Sequence, residues 1–283
     1  MDRRALLRKG LSGFATIPFA RAALAQTSVP ILKVSACSRY LQWLRNGDEV
    51  GQACVEMAFD ALDVTVQSPS SHVEPARVKT ALPPFVNAVR GQGVAVVAIT
   101  CATLEADSPD LENILTAAAA LGIKGWSRET YPYDLGLPLG PQIEALKSRI
   151  VKLARLSEKH GVKLMFRNRA GAANAGSAIF DLLAILKDLD PRHVGFLYDT
   201  GQGVLAGGID SWTLGLRAAG PYVGGLSCSD AIVKLRRNTD EGGAFAGTPE
   251  QLNNFRPTPN RVNYGGGGQT NPWQAIAVPL GSG

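Results

Sequence analysis

Histidine is scarce in this chain: His72, His160 and His193 are the only three in 283 residues. That scarcity rules out a histidine-rich metal site. Arginine, carboxylate and hydroxyl groups are better supplied and fall in short polar clusters. These are Arg128-Glu129 with Tyr131, Arg167-Asn168-Arg169, Asp199-Thr200-Gly201-Gln202 and Ser227-Cys228-Ser229-Asp230. Arg39 follows Cys37-Ser38, Thr100 precedes Cys101, and His72 follows Gln67-Ser68. Carboxylates such as these can act as general bases, and tyrosine or histidine as proton donors. A guanidinium can bind a carboxylate, phosphate or enediolate oxygen. The mixed set suits a polyhydroxylated or anionic small molecule. Cys37, Cys54, Cys101 and Cys228 form no CxxC pair, so a zinc ribbon is excluded and they read as packed or pocket-lining thiols.

The elements that must position these clusters follow from the apolar pattern. Strand candidates are Ile31–Ala36, Leu62–Val66, Val94–Thr100, Gly122–Trp126, Val162–Phe166, Val194–Tyr198, Tyr222–Ser227 and Ala275–Pro279. Helix candidates lie between them at Asp48–Phe59, Pro75–Arg90, Asp110–Ala120, Pro141–His160 and Ser177–Leu189, with Asp48 and Ser177 as caps and Gly91, Gly122 and Gly161 as stops. Strand starts recur roughly every 30 residues, the size of one βα unit. That repeat predicts an eight-stranded parallel (β/α)8 TIM barrel; no G-x-G-x-x-G follows the first strand to support a dinucleotide fold. The segment from about 231 to 274 reads as a long Gly-rich loop. The sequence stops just after the eighth strand candidate, so an eighth helix is not expected.

In a β/α barrel the site lies at the C-terminal strand ends, where the polar clusters fall. Asp199 and Glu129 are the candidate bases and Arg167 the candidate holder of an anionic oxygen. Arg39, His72, Arg169, Gln202 and Asp230 are the candidate substrate contacts, and Tyr131, Tyr198 or His72 the candidate proton donors. Each has a plainer reading. Arg167 and Arg169 can form salt bridges to Asp199 or Glu129, Asp199 can support its neighbours, Glu129 can be an exposed loop residue, and His72 can order its loop. His160 and His193 sit at the opposite end of the barrel.

Cys37-Ser38-Arg39-Tyr40-Leu41-Gln42-Trp43, Cys54-Val55-Glu56-Met57-Ala58-Phe59-Asp60 and Ser108-Pro109-Asp110-Leu111-Glu112-Asn113 resemble the secreted branch of the sugar phosphate isomerase/epimerase family, with xylose isomerase-like barrels. Gln142-Ile143-Glu144-Ala145-Leu146-Lys147 and Val194-Gly195-Phe196-Leu197-Tyr198-Asp199-Thr200-Gly201 extend the resemblance over roughly residues 31–283. It implies a divalent metal such as Mn²⁺ or Mg²⁺ that polarises a sugar oxygen while acid/base groups move a proton between neighbouring carbons. The positions that match the family's ligands depart from that pattern. Phe166-Arg167-Asn168-Arg169 stands where a Glu or His is usual. Asp199 is kept, but Gln202 replaces a histidine, Ser227 and Ser229 stand at a histidine or lysine position, and Gly281-Ser282-Gly283 replaces Gly-Glu-Gly. A guanidinium about 4 Å from a divalent ion, at an effective dielectric near 20, is repelled by roughly 8 kcal/mol. No metal or other cofactor is therefore expected.

Residues 1–25 read as a twin-arginine export signal: Arg3-Arg4-Ala5-Leu6-Leu7, an apolar stretch from Gly10 to Leu24, and a small-residue cleavage site at Ala23-Leu24-Ala25. The net charge of +5 belongs mostly to this leader, so the body gives no case for nucleic-acid binding. Residues 26–283 are then a periplasmic or secreted barrel with no membrane span and a small carbohydrate as its partner; homo-oligomerisation is left open. The expected function is that of a sugar phosphate isomerase/epimerase-like protein. The alternatives are an inactive periplasmic carbohydrate-binding or sensor protein on the same barrel and, more weakly, a partner subunit for a secreted oxidoreductase.

Overall fold

The computed structural model describes residues 32–230, apart from 70, 102 and 209, together with the backbone of 231–235 and 273–278. The proposed leader, most of the long loop and Ser282 lie outside the described residues. Seven parallel strands are hydrogen-bonded in chain order: β1 (Ser35–Cys37), β2 (Ala61–Val66), β3 (Ala95–Cys101), β4 (Gly125–Glu129), β5 (Lys163–Arg167), β6 (Val194–Asp199) and β7 (Val223–Ser227). Helices connect them: α1 (Gly47–Glu56), α2 (Val78–Gly91), α3 (Pro109–Ala120), α4 (Leu139–His160), α5 (Phe180–Leu186), α6 (Thr200–Gly207) and α7 (Ser211–Ala219). The result is a curled half-barrel of the TIM type.

Four expectations need correction. The segment expected as the eighth barrel strand forms β9 (Trp273–Val278), which pairs antiparallel with β8 (Asp230–Leu235) in a separate two-stranded sheet. Both segments are rich in aliphatic and β-branched residues, and each supplies the other's ladder partner. Part of the stretch read as loop is therefore strand. The cap of α1 is Asn46, whose side chain accepts the Glu49 N–H at 3.0 Å, and not Asp48. Ser177 does not cap α5 either, which starts after Ile179.

The helix stops fit better. Gly161 ends α4 at φ 64°, a left-handed conformation that glycine adopts without a Cβ clash. The Val162 N–H reaches back to the Ser157 carbonyl at 3.1 Å and closes the terminal turn.

Strand alternation sorts the side chains into two faces. Val64, Val66, Ile99, Trp126, Phe166 and Phe196 are buried in the core that includes Leu82, Val86, Leu111, Ile114, Ile150 and Leu153 of the helices. Trp126 Nε1 donates to Ser157 Oγ of α4 at 2.9 Å, which fixes the outward face of β4. The inward face carries Cys37, Asp63, Ala98, Thr100, Gly125, Ser127, Gly195 and Asp199, together with Met165, Arg167 and Leu197. A Cβ at Gly195 would overlap the Tyr222 carbonyl oxygen and lie 2.9 Å from its carbon. Gly195→Ala is therefore expected to cost about 1–3 kcal/mol, read as a lower denaturant midpoint at unchanged slope.

Candidate functional site

Asp199 ends β6 and caps α6. Its carboxylate accepts the Gln202 N–H at 3.0 Å, the Ser227 hydroxyl at 3.0 Å and the Ser229 hydroxyl at 2.5 Å. The Asn168 side chain clamps the Asp199 backbone, accepting its N–H at 2.6 Å and donating to its carbonyl at 3.0 Å. Gln202 Oε1 accepts the Ala170 N–H at 2.9 Å. Asp199, Gln202 and Asn168 thus tie the ends of β5, β6 and β7 together. At 5% exposure, Asp199 works largely as a fastening.

Arg167 and Arg169 differ in their surroundings. Arg169 Nη1 lies 3.5 Å from Glu129 Oε2 in a half-exposed pair, the salt-bridge alternative expected for one of them. Arg167 points inward from the end of β5, is partly exposed, and forms no ion pair among the described residues. Its charge acts on Asp63 and Cys37.

Other sequence candidates lie elsewhere. Arg128 points away from the mouth, fully buried between the Tyr131 ring at 4.4 Å and Phe166 at 5.9 Å. Its Nη1 donates to the Leu104 carbonyl at 2.8 Å and the Tyr131 hydroxyl at 3.0 Å. Tyr131 is buried in that stack, and Tyr198 donates outward to the Trp212 carbonyl at 3.1 Å. Neither tyrosine faces the inward polar surface.

His72 Nε2 lies 3.2 Å from the Leu44 carbonyl and its ring stacks on Phe85 at 5.1 Å. Burial lowers its pKa, so it is a neutral group linking two loops. Arg39 is exposed beside exposed Tyr40 and Trp43. Asp230 opens β8 and borders a cleft of about 260 Å³ lined also by Thr200, Gly201, Val204, Trp212 and Ser229.

Sequence reasoning passed over Asp63. It lies inside β2, 7% exposed, where Oδ2 accepts the Thr100 hydroxyl at 2.7 Å; Thr100 Oγ1 in turn lies 2.8 Å from Ser127 Oγ. Burial raises the Asp63 pKa, while the Thr100 bonds and Arg167 oppose the rise. Cys37 Sγ is 3.6 Å from Thr65 Oγ1, and its pKa is raised by burial and by Asp63. The available signal was an acid in an otherwise apolar strand run, Ala61-Leu62-Asp63-Val64-Thr65-Val66, with Thr65 two residues on and so on the same face.

The residues present do not fit a divalent ion. Among the described residues no three His, Cys, Asp or Glu side chains cluster as ligands would. Asp199 is already engaged by three donors, and Arg169 pairs with Glu129 where a ligand would stand.

Inward-facing polar groups at the C-terminal ends of parallel strands define a β/α-barrel protein with its site at the mouth. The chain belongs to the xylose isomerase-like TIM barrel family, whose model matches residues 51–280. No curated protein matches it by sequence. Solved structures share the fold. D-psicose 3-epimerase with D-tagatose from Clostridium cellulolyticum H10 is 16% identical, with a TM-score of 0.54 over 70% of this chain and 73% of that one. The 3-keto-D-glucoside 4-epimerase of E. coli is 15% identical, with a TM-score of 0.55 over 70% and 79%. An IOLI protein with a bound zinc atom is 12% identical, with a TM-score of 0.56 over 71% and 73%. At these identities the likeness concerns the fold.

Proposed function

We propose that the chain acts on a sugar or sugar-derived acid at the barrel mouth, moving a proton between neighbouring carbons without a divalent metal. The observation that carries this reading is Arg167: an inward, partly exposed guanidinium at the strand ends, where an oxygen of the substrate would need positive charge. The sugar epimerases among its structural neighbours favour a carbohydrate ligand. Glu129 and Asp199 fit the base role less well, because one is paired with Arg169 and the other is closed by three hydrogen bonds. In this reading they shape the mouth, together with Gln202 and Arg169.

A second reading, binding without chemistry, draws on that same closure of both expected bases. In either reading we place the protein outside the cytoplasm, on the strength of the leader at 1–25. No helix among the described residues is long and apolar enough to cross a membrane.

The mature protein is expected to show the same thermal midpoint with EDTA, Mn²⁺ or Mg²⁺. A stoichiometric metal that raises the midpoint would sink the metal-independent reading. Sugars and aldonic acids are then screened by thermal stabilisation, and binders by NMR for deuterium uptake at carbon from D₂O. Exchange supports the isomerase reading, and stabilisation without exchange supports the binding one.

A further inference from the structure

The cleft of about 260 Å³ beside Asp230 opens between α6, the start of α7 and the junction of β7 and β8. Thr200, Gly201 and Val204 line it from α6, Trp212 from α7, and Ser229 and Asp230 from the junction. Neither Arg167 nor Glu129 is among the described lining residues, so the cleft is a cavity distinct from the arginine-bearing face of the mouth.

Its walls are fixed by the fold. At Gly201 a Cβ would overlap the Ser229 hydroxyl and lie 2.7 Å from the Ser229 carbonyl oxygen, so glycine lets the first turn of α6 approach the junction this closely. Trp212 is held from two sides. Tyr198 donates its hydroxyl to the Trp212 carbonyl at 3.1 Å, and a Cβ at Gly203 would stand 3.0 Å from the Trp212 Cβ. Ser211 Oγ is within 2.5 Å of the Gly203 carbonyl and 2.9 Å of the Gly208 carbonyl, which pins the corner between α6 and α7. A wall that is already ordered spares a ligand the cost of ordering it.

The lining has a polar side and an apolar side. Ser229 donates its hydroxyl hydrogen to Asp199 at 2.5 Å, so it offers lone pairs to the cleft. The Asp230 carboxylate is likewise an acceptor, while the Thr200 hydroxyl can donate or accept. Trp212 and Val204 add apolar surface. This pattern suits a small ring with an apolar face and a rim of hydroxyl donors. Asp230 is the one ionisable group among the described lining residues, so an anion is repelled. The volume lies just below the range of about 300–1,000 Å³ typical of pockets for larger ligands, which leaves room for one sugar ring.

We propose that this cleft binds the pyranose ring of a neutral glycoside, with the ring face against Trp212 and Val204 and ring hydroxyls donated to Asp230 and Ser229. The site performs no chemistry and stands apart from the proton-transfer reading of the mouth. It retains a sugar unit that has no free carbonyl for the mouth to act on.

The mature protein is titrated with the methyl glycosides of glucose, galactose, mannose and xylose. At least one is expected to raise the thermal midpoint. Trp212→Ala and Asp230→Asn should each weaken that glycoside at least about tenfold, through lost stacking surface and a lost charge-assisted hydrogen bond. Arg167→Ala should leave its Kd within about twofold, because separate sites act independently. An aldonic acid should not compete with the glycoside, since Asp230 repels it; it reports on the mouth alone.

A panel in which no methyl glycoside raises the midpoint overturns the proposal. Equal affinity in the wild type, Trp212→Ala and Asp230→Asn does the same, and so does loss of glycoside binding in Arg167→Ala. Tighter binding of methyl glucosaminide than of methyl glucoside overturns the neutral class of ligand. If Trp212→Ala fails to fold, Thr200→Val takes its place beside Asp230→Asn. Weakening by either then upholds the cleft, and unchanged affinity in both overturns it.

Discussion

Arg167→Ala is expected to abolish ligand-induced thermal stabilisation and to lower deuterium exchange about 10²–10³-fold, the loss seen when one preorganised donor to a developing oxyanion is removed. The argument rests on its contrast with Arg169. Arg169 pairs with Glu129 at 3.5 Å in a half-exposed bridge, an arrangement worth at most about 1 kcal/mol. Arg169→Ala should therefore cost much less exchange than Arg167→Ala. Arg167, without an ion pair among the described residues, keeps its donors for a ligand. Arg167→Lys retains the charge but loses the planar fork, and an intermediate loss is expected. Full ligand stabilisation in Arg167→Ala would show that this arginine belongs to the fold alone.

The spacing of apolar runs was enough to place β1 to β7, because each βα unit repeats its own burial pattern. Side-chain direction was harder to read. The fourth strand was expected to end at Trp126, which left Arg128 in a loop at the mouth. It runs from Gly125 to Glu129, and Arg128 therefore occupies an outward position among Tyr131, Phe166 and Glu105. Arg128 is two residues beyond Trp126 and so shares its outward face once the strand continues past that tryptophan. Tyr198 was misread for a related reason, since it neighbours Asp199 in sequence and so points the opposite way. Asp63 was hidden by its apolar neighbours. The β-bulge that turns Thr100 toward it is a property of strand pairing, which local sequence does not display. β8 and β9 were missed as partners because a long segment separates them.

Asp199→Ala is expected to be the most destabilising of these substitutions, at about 3 kcal/mol. The loss combines an N-cap, worth about 1 kcal/mol, with two charge-assisted hydroxyl bonds of roughly 1.5–3 kcal/mol each, and these do not add fully because they share one carboxylate. In a domain of this size the midpoint should fall by roughly 6–12 °C. Asp199→Asn separates fastening from chemistry. The amide oxygen can still accept the Gln202 N–H, and the serine hydroxyls can rotate to pair with the NH₂, so the cost should drop to about 1 kcal/mol. Exchange should then survive within a few-fold of the wild type. A general base at Asp199 would give the reverse pattern, with Asp199→Asn folded but inert. The three bonds on the Asp199 carboxylate favour the first outcome, because a base must hold a lone pair open toward the substrate.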